Sequence, residues 1–138
     1  MNTTKITIQA SISSERHKVW EYYTNPVHIT QWNFATDTWH CPTATNDMRV
    51  GGKYVARMEA KDGSFGFEFE ATYNEITVGE KFSYIMPDNR LVEVIFKERG
   101  NGTELTIIFD AENENPVDLQ RQGWQSILDN FKKYTEQN

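Results

Sequence analysis

The chain has 138 residues, a net charge of −6 and one cysteine, and 13% of its residues are aromatic. A chain of this length can build its own core without disulfides or metals, and the single Cys41 excludes an internal disulfide and any metal site made of cysteines. No basic run is longer than Lys132-Lys133, which argues against nucleic-acid binding, and no apolar run approaches the ~18 residues that a membrane span needs.

The first 32 residues predict one strand and two short helices. Residues 5–12 alternate between apolar and polar side chains, as in a half-buried strand. Ser13-Ser14-Glu15 then predicts a helix N-cap followed by an acidic first turn. Asn25 and Pro26 predict the N-cap and the first position of a second helix, which ends near Trp32.

Residues 36–112 contain turn signals between strand-like runs, and this pattern predicts an antiparallel sheet of about six further strands. The Asp-Gly and Asn-Gly pairs predict hairpins with type I′ turns, because such turns need a positive φ at both central positions. The turn signals stand at Gly51-Gly52, Asp62-Gly63, Val78-Gly79, Asp88-Asn89 and Asn101-Gly102.

The last element is a long amphipathic helix. Asn115 predicts its N-cap, Pro116 its first position, and Asp118 an acidic residue in its first turn. Its apolar residues recur at helical spacing; they are Trp124, Ile127, Leu128, Phe131 and Tyr134. Because the helices are segregated from the strands, the class is α+β. We expect a single domain over residues 1–138, with this helix covering the apolar face of the sheet.

An ordered set of short motifs resembles one known family across nearly the whole chain, from about Ile6 to Tyr134. The chain is similar to the activator of Hsp90 ATPase homologue 1-like (AHSA1-like) family, within the START-like, or SRPBCC, superfamily. The motifs that carry the resemblance are Val19-Trp20, Trp32, the run from Asp47 to Tyr54, Asp62-Gly63, Tyr73-Asn74-Glu75-Ile76, Gly102-Thr103 and Gly123-Trp124.

The resemblance implies the helix-grip fold. In that fold a curved sheet of about seven antiparallel strands packs on a long C-terminal helix, two short helices follow the first strand, and a cavity lies between sheet and helix. Members of the superfamily bind lipids, hormones and polyketides, and some are cyclases or hydrolases. The eukaryotic cochaperone of this family also carries a separate N-terminal domain, for which we expect no room in this chain.

Aromatic and charged residues of the predicted strands separate by parity. Phe65, Phe67, Phe69, Ala71 and Tyr73 share one face, whereas Arg57, Glu59, Glu68 and Glu70 share the other, which we expect to be the solvated face. An aromatic concave face suits a flat or oily ligand, although a packed core has the same pattern. The predicted ligand-binding residues are Trp32, Trp39, Tyr54, Met58, Phe67, Phe69, Tyr84 and Trp124.

The sequence gives little indication of a catalytic or metal site. His40 and Cys41 are adjacent in a predicted loop from Asn33 to Asp47, but neighbouring side chains on an extended chain point to opposite faces and cannot pair simply. No two histidines have metal-ligand spacing. We therefore predict no catalytic residues, no metal and no cofactor. Gly51-Gly52 predicts a tight turn, and Gly123 predicts a close approach of the last helix to the sheet or to a ligand.

The sequence favours a non-catalytic binder of a small hydrophobic or aromatic molecule. One alternative is a module that interacts with an Hsp90-type chaperone, and a second is an enzyme of the cyclase, aromatase or hydrolase kind. The lone cysteine favours a reducing cytoplasm. The identity of the ligand and the choice between monomer and homodimer stay open.

Overall fold

The computed structural model describes residues 4–138, so the first three residues of the predicted domain, beginning at Met1, lie outside the described part. The described elements confirm the predicted α+β order of strand, two short helices, six strands and a long helix. They are β1 Lys5–Ile12, α1 Arg16–Thr24, α2 Pro26–Trp32, β2 Trp39–Asn46, β3 Lys53–Ala60, β4 Gly66–Thr77, β5 Lys81–Ile85, β6 Leu91–Arg99, β7 Gly102–Asp110 and α3 Val117–Gln137.

All seven strands form one antiparallel sheet in the order β1-β7-β6-β5-β4-β3-β2. The N-terminal strand β1 forms one edge of the sheet and pairs with β7, from Lys5 opposite Asp110 to Ile12 opposite Thr103. The other strands follow one another as hairpins. Irregularities interrupt the ladder between His40 and Thr43 in β2 and between Tyr73 and Glu75 in β4. Such bulges bend strands, which suits a sheet that curls around a helix.

Helix α3 lies against the concave face and is fastened along the edge strand β1. Three of its polar side chains bind the chain near β1: Gln125 and Lys132 donate to backbone carbonyls of β1, and Glu136 accepts from the backbone N–H of Ser13. Its inner face carries the fully buried Phe131 and the nearly buried Leu128. The sheet and helix therefore enclose one apolar layer, as the helix-grip fold requires.

The second helix begins as predicted, but the first and third do not. Asn25 caps α2, because its Oδ1 accepts from the backbone N–H of Val27 at 3.0 Å and Pro26 occupies the first turn. Glu15 is the N-cap of α1 and makes no side-chain capping bond. At α3 the N-cap is Pro116 rather than Asn115. There the buried side chain of Gln120 bonds the backbone of Glu112 and Asn115, which orders the preceding loop.

The predicted hairpins form, but two of their turns differ from type I′. Gly63 has a φ of +78° while Asp62 does not have a positive φ, and near β7 the left-handed residue is Gly100 rather than Asn101. A type I′ turn needs two consecutive positive φ values, and these connections supply one. Gly51-Gly52 does form the predicted tight turn, since a Cβ at Gly52 would lie 2.2 Å from the carbonyl oxygen of Asp47.

A cluster of aromatic side chains lies where α1 and α2 meet the sheet and α3. Trp20 packs on Phe82 and Phe96, and Phe131 makes edge contacts with Tyr23 and Trp32 at centroid distances of 5.0 and 4.8 Å. This aromatic core fills one end of the space under α3. Within residues 4–138, none of the helices is long and apolar enough to cross a membrane.

Candidate functional site

A cavity of about 510 Å³ lies between α3 and the concave face of the sheet. Its volume falls in the range of small-molecule sites. Strands β3 to β5 supply one wall, α3 supplies another, and α1 and α2 close one end. The lining residues are Tyr23, Trp32, Asn33, Asn46, Tyr54, Met58, Phe67, Glu68, Phe69, Glu70, Tyr73, Phe82, Tyr84, Met86, Pro87, Asp88, Arg90, Ile107, Trp124, Ile127 and Leu128.

Seven of the eight predicted ligand-binding residues line this cavity. Their side chains converge because they lie on the inward face of the strands or on the adjoining helices. They are Trp32, Tyr54, Met58, Phe67, Phe69, Tyr84 and Trp124. Contact between these side chains and a ligand stays a prediction.

Trp39, the eighth residue, lies outside the cavity lining. Its ring packs against Phe65 and Phe67 at centroid distances of 5.9 and 6.1 Å, and Phe65 is 62% exposed. Phe65 precedes β4, which begins at Gly66, so the strand alternation that placed Phe65 inside does not extend to it. The two aromatic side chains instead support Phe67 from outside the wall.

Trp124 closes the cavity on the side of α3. Its ring stacks on Phe109 at a centroid distance of 3.9 Å and meets the edge of Phe69 at 6.3 Å. The neighbouring Gly123 has no atom within 4 Å of the position of an added Cβ, so the predicted close approach of the helix to the sheet is wrong, and an approach to a ligand stays a prediction. The space beside Gly123 is open rather than filled by the sheet.

Asparagine side chains fix two of the tyrosines in the wall. Asn33 Nδ2 donates to the hydroxyl of Tyr54 at 3.1 Å. Tyr73 donates to Asn46 Oδ1 at 2.6 Å, and Asn46 in turn donates to the backbone carbonyl of Thr24. These bonds join α1 and α2 to the sheet and hold the rings in place, since buried polar groups are stabilised only when they are paired.

Two further hydroxyls in the lining are free of protein partners. The rings of Tyr23 and Tyr84 line the cavity, and no hydrogen bond joins either hydroxyl to another residue in the range 4–138. Burial raises the pKa of Tyr84 well above its usual value, and neighbouring tyrosines raise it further. Burial likewise raises the pKa of Tyr23, with an added contribution from Tyr73. Both hydroxyls therefore stay protonated near neutral pH and can donate hydrogen bonds into the cavity.

Charged residues border the open side of the cavity. Glu68 and Asp88 are exposed, and Glu70 and Arg90 are half-buried. Arg90 is paired with Asp88 at 2.6 Å. The outward parity predicted for Glu68 and Glu70 agrees with the exposure of Glu68 and with the ion pair between Glu70 and Lys53 at 3.3 Å.

His40 and Cys41 do not form a catalytic pair. The stretch predicted as a loop contains strand β2, on which the two side chains point to opposite faces. His40 approaches Glu59 on the outer face at 3.7 Å. Burial raises the pKa of the Cys41 thiol to about 11, although a hydrogen bond with Asn33 opposes the shift, so little thiolate forms near neutral pH. Among residues 4–138, no group of three or more His, Cys, Asp or Glu could hold a metal ion.

The sequence-based prediction missed the polar residues of the lining. Asn33 and Asn46 stand just after α2 and at the end of β2, where asparagine ordinarily indicates a helix end or a turn. Tyr23 belongs to the apolar helical pattern of α1, which does not distinguish a cavity residue from a core residue. Tyr73, already assigned to the aromatic face by its alternation, and Met86, which has the same parity as Tyr84, were left out of the predicted ligand-binding residues although both line the cavity.

Comparison with known proteins agrees with the geometry. The family model described as activator of Hsp90 ATPase homolog 1-like protein matches residues 13–136. The solution structure of the AHSA1-like protein from Aeromonas hydrophila is 40% identical, with a TM-score of 0.92 over 97% of this chain and 93% of that chain. Chr148 from Cytophaga hutchinsonii is also 40% identical, with a TM-score of 0.84 over the same shares.

A more distant structure shows how widely the fold is shared. CV1439 from Chromobacterium violaceum is 21% identical and covers 96% of both chains, with a TM-score of 0.84. No curated protein sequence matches the chain. The family match and the two similar structures together establish that the chain belongs to the activator of Hsp90 ATPase homolog 1-like family and has its START-like, helix-grip fold.

Proposed function

We propose that this protein binds a small, uncharged and mostly apolar molecule that carries a hydrogen-bond acceptor. The observation that carries the proposal is the aromatic cavity of about 510 Å³ lined by Tyr23 and Tyr84, whose hydroxyls have no hydrogen-bond partner within residues 4–138. The apolar wall favours an oily or planar ligand. A ligand carbonyl or ether oxygen could accept a hydrogen bond from either hydroxyl.

The proposed binding is non-catalytic. The interior is lined by apolar groups, amides and tyrosine hydroxyls whose pKa values are raised, and the charged side chains stand at the open side. General acid–base catalysis near neutral pH works best with a group that titrates near that pH. The raised pKa of Cys41 also makes its thiol a poor nucleophile.

A displacement assay tests the proposal. The fluorescent probe 1-aminoanthracene is titrated into the protein and then displaced by 2-acetylnaphthalene or by 2-isopropenylnaphthalene, which match in size and shape but differ in the carbonyl oxygen. We expect the ketone to displace the probe at an about fivefold lower concentration, as one hydrogen bond would allow. Tyr84→Phe combined with Tyr23→Phe should remove that preference and keep the aromatic wall.

The matched control is Tyr22→Phe. Tyr22 lies on α1 like Tyr23, but it is not part of the cavity lining. This variant should keep the preference for the ketone. Failure of 1-aminoanthracene to bind, or equal displacement by ketone and hydrocarbon in the unaltered protein, would contradict the proposal.

The family description supports a second candidate, an interaction with an Hsp90-type chaperone. A saturable, several-fold stimulation of chaperone ATPase activity by micromolar amounts of this chain would favour it. Stimulation that survives the Tyr23 and Tyr84 substitutions would assign the interaction to a surface other than the cavity.

A further inference from the structure

Among the strands of residues 4–138, the first half of β4 has a partner on one side only. Residues 66–72 pair with β3, from Gly66 opposite Glu59 to Thr72 opposite Lys53. On the other side, pairing with β5 begins at Thr72 opposite Ile85 and continues toward Thr77. The segment 66–71 is therefore an unpaired strand edge inside the sheet, which we call the free β4 edge.

The free β4 edge exposes the backbone groups of Gly66, Glu68 and Glu70. Tyr73 exchanges backbone hydrogen bonds with the Gly51-Gly52 turn on the β3 side. Because backbone groups alternate in direction along an antiparallel strand, the odd-numbered residues of this segment face β3 and the even-numbered ones face the gap. No backbone hydrogen bond from Gly66, Glu68 or Glu70 to that side occurs within residues 4–138.

The gap arises because β5 is shorter than β4. β5 has five residues and β4 has twelve, and the chain turns away after Ile85 through Met86, whose N–H donates to Arg90. Pro87, which stands beside Glu70, has no N–H to extend the ladder. The edge is therefore left open by the length of β5 and the chemistry of the turn.

The free β4 edge borders the cavity. All four residues from Phe67 to Glu70 contribute to the cavity lining. By strand alternation the rings of Phe67 and Phe69 share the inward face, and the side chains of Glu68 and Glu70 share the other face, where Glu70 pairs with Lys53. An added strand would follow the same alternation, so its apolar side chains would enter the opening beside the two phenylalanines. Its outward side chains would lie opposite Glu68 and Glu70. Glu70 is paired with Lys53 at 3.3 Å, whereas Glu68 has no ion-pair partner within residues 4–138, so lysine or arginine is favoured most opposite Glu68, as it is by the net charge of −6.

We propose that the free β4 edge binds an extended peptide segment with alternating basic and apolar residues. The backbone of the peptide pairs with Gly66, Glu68 and Glu70, and its apolar side chains occupy the open side of the cavity. Backbone pairing supplies affinity and the cavity supplies specificity, as in other complexes formed by strand addition. This binding goes beyond the proposed small-molecule site, because it also uses main-chain groups that such a ligand does not need.

The probe is the peptide acetyl-Lys-Phe-Lys-Phe-Lys-amide, titrated into isotopically labelled, unaltered protein and followed by nuclear magnetic resonance. We expect the amide protons of Glu68 and Glu70 to shift and to exchange more slowly with solvent. In the proposed register the lysine amides face β4 and the phenylalanine amides face away. N-methylation of the lysine nitrogens should therefore weaken binding about tenfold or more, while N-methylation of the phenylalanine nitrogens leaves it unchanged.

The two methylated peptides have the same charge and the same side chains, so they separate strand pairing from charge attraction and from burial of phenylalanine. Equal binding of both would overturn the proposal. Binding of 1-aminoanthracene without binding of the unmodified peptide would also overturn it and leave the proposed function standing. Binding of the peptide without 1-aminoanthracene would support the free β4 edge and contradict the small-molecule site.

Discussion

Replacing Phe69 by Ala distinguishes a cavity wall from a packed core. Phe69 is partly buried, lines the cavity and touches three aromatic rings at its edges: Tyr54 and Tyr84 at 5.9 Å and Trp124 at 6.3 Å. A fully packed phenylalanine loses about 3–5 kcal/mol on truncation, because a new void adds to the lost burial. At Phe69 the truncation enlarges a space that already exists.

The expected loss for Phe69→Ala is therefore the burial contribution alone. Full burial of a phenylalanine contributes about 1.5–3 kcal/mol, so a partly buried one should lose about 1–2 kcal/mol of unfolding free energy. The matched control is Phe131→Ala, since Phe131 is fully buried and packs edge-on against Tyr23 and Trp32. That variant should lose about 3–5 kcal/mol.

Urea denaturation measures both losses, and 1-aminoanthracene fluorescence measures binding. Phe69→Ala should weaken the binding of the probe about tenfold, because an aromatic contact and its buried area are both lost. A loss of stability at Phe69 as large as that at Phe131, with no change in probe binding, would refute the assignment of Phe69 to a cavity wall.

Two further predictions concern stability. Gly123→Ala should raise the free energy of unfolding in urea by about 0.5–1 kcal/mol, because alanine is the better helix former and its Cβ meets no atom within 4 Å; Gly52→Ala is the opposite control, since its Cβ would collide with the Asp47 carbonyl, and a loss at Gly123 would contradict the open space. For Asp110, burial opposes ionisation, but hydrogen bonds from Lys5 and the Leu91 backbone outweigh it and lower the pKa. The ionised carboxylate therefore stabilises the fold above the unfolded-state pKa near ~3.9, and this stabilisation is lost as the pH falls through the lower pKa of the folded state. Urea denaturation across this range should show the advantage over Asp110→Asn shrinking below about pH 4, and a difference independent of pH would contradict this.

Local patterns in the sequence were sufficient to predict most strands and helices and to predict which side chains face inward. The alternation of residues 5–12 reappears as a strand with every second side chain buried, because a strand turns successive side chains to opposite faces whatever surrounds it. Asn25 and Pro26 start α2 for an equally local reason, a capping oxygen and a fixed φ. The inward parity of Phe67, Phe69 and Tyr84 follows from the same rule, and all three residues lie in the cavity lining.

Helix starts and turn types were less well determined. Ser13, Ser14 and Asn115 are all good N-cap residues, but α1 and α3 begin later, at residues without a capping side chain. Gln120, which lies one turn inside α3, forms hydrogen bonds with backbone groups of the preceding loop. Cap choice depends on such contacts between elements, and these are not visible in a short window of sequence.

Tertiary structure alone decided whether the aromatic face is a core or a cavity wall. Phe96 and Phe69 both lie on the inward face of a strand, yet Phe96 packs against Trp20, Tyr23 and Phe82, whereas Phe69 borders open space. The distance between α3 and the curved sheet sets this difference, and it depends on bulges and helix docking rather than on alternation. The free β4 edge is also decided by the tertiary structure. It exists because β4, with twelve residues, extends beyond its five-residue neighbour β5.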